Sequence, residues 1–226
     1  EMSGGSDEAV RIVGLAAPQV LQEGALVTVL HWAHALPETA ILADGRLATC
    51  VGWALFLTGE VERAEQYAES ARANLSPGAD SLSRGRLVGL QSFLANNRGQ
   101  DTEALKLGKR ALKLLGGADP FFRSAILSNL GDAQAGLGDL RGAAQTYRQV
   151  IQLGEQLGNY FAADYAVASL AGQLCVQGQL REAILLCQRA VEQHVDARGN
   201  PLPSTGIVYL TLGTMNYETN DLERAD

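Results

Sequence analysis

A chain of 226 residues, 46% apolar and 19% charged, has ample material for a packed core, which excludes an intrinsically disordered segment. Its net charge of -7 lacks the basic footprint that neutralising phosphates demands, so this segment is not expected to bind nucleic acid directly. There is no long apolar run and no basic-then-apolar leader, so neither a membrane span nor a signal peptide is expected, and the reading is cytoplasmic.

Taken in order, residues 8–22 and 25–36 carry apolar side chains at helical spacing, namely Val10, Val13 and Leu15, then Leu26, Val29, Leu30, Trp32 and Ala33. Glu23-Gly24 divides them. They predict an atypical first hairpin over 8–37, closed by Pro37, because the residue before a proline is pushed out of the helical region. From there one outline recurs. Gly59, Gly99, Gly138, Gly178 and Asn220 each stand between two apolar-periodic segments, at separations of 40, 39, 40 and 42 residues. Seven residues before each comes a small residue (Gly52, Ser92, Gly131, Ala171, Gly213), and five after it an alanine (Ala64, Ala104, Ala143, Ala183, Ala225). Small residues at both places let paired helices approach closely, and a glycine at the turn ends the first helix in a left-handed conformation at no steric cost. Helical hairpins are therefore expected at about 46–73, 84–115, 123–156 and 162–194, with a partial one at 205–226. Asp119 before Pro120 is read as a helix cap with proline at the first helical position.

A fixed period in this range marks a solenoid, in which each unit buries its apolar face only by stacking on its neighbours. The fold class expected is all-α, a right-handed superhelical solenoid of antiparallel helix hairpins forming one domain over 1–226. Without an initiator Met, and with Asp226 inside an expected helix, the chain reads as a fragment of a longer protein.

The pattern resembles the tetratricopeptide repeat, most closely in the hairpin at 123–156 through Leu127, Leu130, Gly131, Gly138, Leu140, Ala143 and Tyr147. The usual period is about 34 residues, so longer helices or connectors must absorb the difference. Repeats near this longer spacing are a feature of the sensor region of MalT-like, LuxR-type ATP-dependent transcriptional regulators. Two stretches are similar to theirs: His31-Trp32-Ala33-His34-Ala35-Leu36-Pro37, and Pro203-Ser204-Thr205-Gly206 running on through Asn216-Tyr217-Glu218-Thr219-Asn220-Asp221-Leu222-Glu223-Arg224-Ala225. Thr219 stands where those regulators commonly have tryptophan. The resemblance implies a P-loop ATPase before Glu1 and a helix-turn-helix DNA-binding domain after Asp226. The chain itself holds no G-x4-G-K-[ST] motif to cradle a nucleotide.

Catalytic chemistry is not expected, because three histidines assemble no specific constellation. His31 and His34 read as ordinary helix residues around a buried Trp32, and His194 as a partner of a helix C-terminus. Cys50, Cys175 and Cys187 lack C-x-x-C spacing and read as buried thiols, so no metal and no cofactor are expected. The informative surface is the inner wall of the solenoid, lined by the first helix of each hairpin. Counting back from the turns places Arg46, Thr49, Trp53, Arg86, Phe93, Asn97, Ser128, Asn129, Asp132, Tyr165 and Tyr217 there. Rings supply contact area and a few polar groups fix orientation, which suits a small-molecule effector or a peptide or protein partner. The lysines used by repeat proteins that clamp acidic C-termini are missing, since the two positions concerned read Thr49, Gly89, Ser128, Ala168, Leu210 and Trp53, Phe93, Asp132, Gly172, Thr214. The expected function is an effector- or partner-binding sensor module of a transcriptional regulator; the alternative is a stand-alone scaffold for protein assembly.

Overall fold

The computed structural model describes residues 3–218, with side chains from Glu8 onward. Its helices are α1 (Ser3–Gln22), α2 (Leu26–His34), α3 (Glu38–Ala43), α4 (Gly45–Leu57), α5 (Val61–Asn74), α6 (Ser81–Asn97), α7 (Asp101–Leu115), α8 (Pro120–Gly136), α9 (Leu140–Leu157), α10 (Tyr160–Val176), α11 (Leu180–Gln193) and α12 (Gly206–Glu218). Among the described residues there is no strand, only an isolated bridge between Val195 and Pro201. The fold is all-α and built of TPR-like helix hairpins: α4 packs on α5, α6 on α7 and α10 on α11.

Four hairpin turns share one hydrogen-bond scheme. Gly59, Gly99, Gly138 and Gly178 all adopt positive φ, between 69° and 89°. At each, the glycine amide donates to a carbonyl three residues back, as Gly138 does to Ala135, and the following amide donates five residues back, as Asp139 does to Gln134 at 2.9 Å. This pair of bonds satisfies carbonyls that the last helical turn leaves open, and only a residue at ease with positive φ closes it. The fifth turn residue, Asn220, and Ala225 lie outside the described residues.

The small residues do the packing expected of them. A Cβ on Gly131 would sit 2.6 Å from Tyr147 Cε1, and one on Gly52 would sit 2.8 Å from Leu90 Cδ2. Ser92 at the equivalent place donates its hydroxyl to the Ala104 carbonyl at 2.7 Å. Ala64, Ala104, Ala143 and Ala183 are wholly buried beside them.

Three boundaries differ from the sequence reading. Helix α1 begins at Ser3 rather than near residue 8, and a 3-10 turn at Pro203–Thr205 precedes α12. Helix α3 was not foreseen, because six residues are too few to show a period; Pro37, at φ -60° and ψ 126°, closes the first hairpin and opens this short helix at once.

The chain divides into two compact units within α8: residues 1–122 and 123–226. The core of the first is centred on Leu21, Ile41, Leu47, Trp53, Leu55, Leu90, Leu115 and Phe122, all at most 2% exposed. The second is built around Tyr147, Val150, Val167, Leu170, Cys187 and Met215. In the first unit Gly45 opens α4 against the end of α5, where an added Cβ would lie 2.5 Å from the Leu75 amide nitrogen and 2.6 Å from its Cα. Backbone cannot swing aside as a side chain does. Gly45→Ala is therefore expected to destabilise this unit by about 1–3 kcal/mol, the usual range for overpacking. Urea unfolding followed by circular dichroism checks this; an unchanged midpoint would show that α5 yields without cost.

Candidate ligand-binding site

In the first unit, α1, α4 and the start of α6 enclose a solvent-open cavity of about 250 Å³. Three predicted residues, Arg46, Thr49 and Arg86, line it together with Cys50, Asp80, Leu82 and Ser83, and α1 closes one side with Gly14, Leu15 and Pro18. Asp80 was not foreseen, although the run Asp80-Ser81-Leu82-Ser83 is a recognisable helix start. Its carboxylate accepts the Ser83 amide at 2.8 Å and the Ser83 hydroxyl at 3.0 Å, capping α6, and also Arg46 Nη2 at 3.0 Å. The capping amide first, with the Arg46 charge added, holds the Asp80 carboxyl below its ordinary range against the opposing effect of burial.

Arg86 is anchored from below. Its Nε donates to Asp119 Oδ2 at 2.6 Å, and Gln22 Nε2 donates to the other carboxylate oxygen at 2.9 Å. The Asp119 side chain is 1% exposed and that of Arg86 15%. The Arg86 guanidinium also lies 5.3 Å from the centre of the Phe122 ring. Asp119, expected as a helix cap, has φ 60° and gives its carboxylate to these two side chains; Pro120 does begin α8.

Trp53, Phe93 and Asn97, also predicted in this unit, are not part of the cavity lining, and Thr49 lines it from a buried position. Thr49 is buried, and its hydroxyl donates to the Gly45 carbonyl at 2.7 Å. Trp53 is wholly buried; its indole N–H donates to the Arg86 carbonyl at 2.9 Å, and its ring meets Phe93 and Phe122 edge-on. Phe93 is half-buried, and Asn97, at the end of α6, is exposed and apart from the cavity lining.

In the second unit Asp132 draws three helices together. Its carboxylate accepts the hydroxyls of Tyr147 on α9 at 2.7 Å and Tyr165 on α10 at 2.9 Å. Burial pushes the Asp132 carboxyl above its ordinary range, and the two phenols oppose that without cancelling it. Burial, reinforced by the Asp132 charge, raises both tyrosines as well. Ser128 and Asn129 are buried beside this cluster on α8, whereas Tyr217 on α12 is 70% exposed.

A buried pair in the same unit escaped sequence reading. His194, at the end of α11, places Nδ1 2.5 Å from Asp164 Oδ1, and both side chains are at most 1% exposed. Its Nε2 lies 3.6 Å from Glu155 Oε1, and the Tyr160 ring packs against the imidazole. Burial acts to lower the imidazole, but the hydrogen bond and charge of Asp164, then those of Glu155, outweigh it and hold His194 above its ordinary value. His194, the C-cap residue of α11, thus also serves a buried carboxylate.

His31 and His34 are exposed and Trp32 is half-buried rather than buried. The three cysteines are free; Cys50 and Cys187 are buried and Cys175 partly so. Burial pushes the Cys50 thiol up to about 12 and Cys187 to about 11. Among the described residues no group of three His, Cys, Asp or Glu side chains is placed to hold a metal ion, and no helix is long and apolar enough to cross a membrane.

Comparison with known proteins agrees with this architecture. The crystal structure of BtubC (BKLC) from P. vanneervenii superimposes with a TM-score of 0.59 over 96% of this chain and 86% of that one, at 15% identity, a likeness of fold alone. The HTH-type transcriptional regulator MalT of Yersinia enterocolitica is 28% identical over 169 residues, 72% of this chain, which spans only 19% of the length of that protein. The family model of the MalT-like TPR region matches residues 85–226. With hairpins of the expected period and a family match over more than half its length, the chain belongs to the MalT-like TPR family.

Proposed function

We propose that this chain is the sensor and interaction segment of a MalT-like transcriptional regulator, non-catalytic itself and working in the cytoplasm. In this reading an effector or partner binds here and biases the conformation of the rest of the regulator. The observation that supports it best is the cavity of the first unit. Its arginines stand thirteen residues before the turn glycine, where the successive hairpins carry Arg46, Arg86, Ala125 and Tyr165. The framework repeats while this position changes, as a recognition surface on a repeat scaffold requires. An effector acts only through a difference in its affinity for two states, so the flanking parts of the regulator must supply the element that switches. An ATPase on the N-terminal side and a helix-turn-helix on the C-terminal side are the expected parts, and DNA contact belongs to the latter.

The full gene product tests this. Its flanking sequence is expected to encode both modules, and an effector is expected to raise the melting temperature of this segment and change transcription in a reconstituted assay. Flanks with neither module would overturn the proposal. A pull-down dominated by one peptide partner, with no small-molecule effect on melting, would identify a stand-alone scaffold instead.

A further inference from the structure

We propose that the cavity between α1, α4 and α6 binds a small organic acid, whose carboxylate or phosphate oxygens are received by Arg46 and Arg86. This deepens the effector reading above and rests on it. The two arginines occupy the same repeat position one hairpin apart, on neighbouring first helices, and line the same cavity. A guanidinium brings donors only, in a planar fork that matches the paired oxygens of a carboxylate or phosphate.

The two cations are held differently, and the difference makes a site. Arg86 commits Nε to the buried Asp119, itself fixed by Gln22, so its orientation is set, and the residue lines the cavity. Arg46 pairs through Nη2 with Asp80, and those side chains are 50% and 52% exposed. Such an exposed pair is weak and exchanges readily. An incoming oxyanion can replace Asp80 at Arg46, while Asp80 keeps the Ser83 amide and hydroxyl as partners. The Asp80 carboxylate thus occupies, from within the chain, the place of a ligand oxyanion.

The opposite wall is formed by α1. Pro18 lies inside α1 and has no N–H to return to the carbonyl four residues earlier, that of Gly14; both residues line the cavity. Leu15 and Leu82 suit a short carbon chain. A volume of about 250 Å³ falls below the range of about 300–1,000 Å³ typical of drug-sized ligands. The ligand is of metabolite size.

Titration calorimetry of the chain with sodium succinate, with inorganic phosphate and with sodium chloride at matched ionic strength tests the assignment. Saturable binding of succinate or phosphate, and not of chloride, is expected; succinate alone identifies a carboxylate ligand and phosphate alone a phosphate ester. Arg46→Gln should weaken that binding by about tenfold or more. Asp80→Asn keeps a capping side chain but removes the competing charge, and should tighten it several-fold. Circular dichroism establishes that both variants remain folded. No saturable heat with either anion up to about 10 mM, where a Kd of ~1 mM would be plain, overturns the proposal, as does weaker binding in Asp80→Asn. An uncharged effector whose affinity Arg46→Gln leaves unchanged would also overturn it, yet leave the sensor reading standing; that reading fails on the flanking sequence instead.

Discussion

Trp53→Ala is expected to cost the first unit about 3–5 kcal/mol of stability, the range for truncating a large buried aromatic. The indole is wholly buried, with ring centres 4.9 Å from Phe93 and 5.3 Å from Phe122 at near-perpendicular angles. Truncation removes both edge-to-face contacts, opens a cavity that the surrounding helices fill only in part, and leaves the Arg86 carbonyl without the indole N–H. Trp53→Phe restores most of the volume but not the donor, so it should lose roughly 1–2 kcal/mol. Urea unfolding followed by circular dichroism separates the two. Loss of less than 1 kcal/mol in the alanine variant would place the ring on a binding surface rather than in the core. The residue also supports the cavity from behind: Arg86 turns one face of its backbone to Trp53 and its side chain to Asp119, so the alanine variant should loosen the cation as well as the core.

Trp53 and Arg86 show where sequence reading succeeds and where it stops. The turns were legible because each needs a residue at ease with positive φ, and Gly59, Gly99, Gly138 and Gly178 announce it one by one. The close helix contacts were legible because Gly52, Ser92 and Gly131 are small where neighbours are large. The direction of side chains on the first helices was not. In α4 every residue from Leu47 to Leu55 is buried, because α1, α2, α5 and α6 all pack on it. A helix covered on several sides has no single apolar stripe, so counting residues back from a turn cannot separate a wall from a core. Arg46 is exposed and Thr49, three residues on, is buried. The charged partners were hidden for another reason. Arg46 meets Asp80 at a separation of 34 residues, Arg86 meets Asp119 at 33 and His194 meets Asp164 at 30. The two arginine pairs reach from one hairpin to the start of the next, and the His194 pair joins the two ends of a single hairpin; which rotation brings such side chains together is settled only by packing.

The buried pair of the second unit carries the other large expected effect, and it depends on pH. Asp164→Asn should destabilise this unit by about 3–5 kcal/mol in mildly acidic solution, the range for breaking a buried ion pair by removing one partner. The sign follows from the imidazole. His194 is held above its ordinary value in the fold, so the stabilisation from its proton is complete below the unfolded value of about 6.5 and is lost as pH rises through the folded value. The wild-type unit should therefore weaken on moving from about pH 6 toward pH 8 and beyond. In Asp164→Asn the main source of the raised value is gone, burial acts against the charge with only Glu155 opposing it, and the imidazole should remain neutral in the fold. Its unfolded form then binds the proton more readily than its folded form, so the variant should gain stability as pH rises, and the gap to wild type should narrow to about 1–3 kcal/mol, the cost of a poorly satisfied buried polar group. Both tryptophans, Trp32 and Trp53, lie in the first unit, so their fluorescence cannot follow this change. Amide hydrogen exchange on α10 and α11 can, read at several pH values after correction for the intrinsic exchange rate. Protection that varies with pH identically in the wild type and Asp164→Asn would remove His194 as the titrating group.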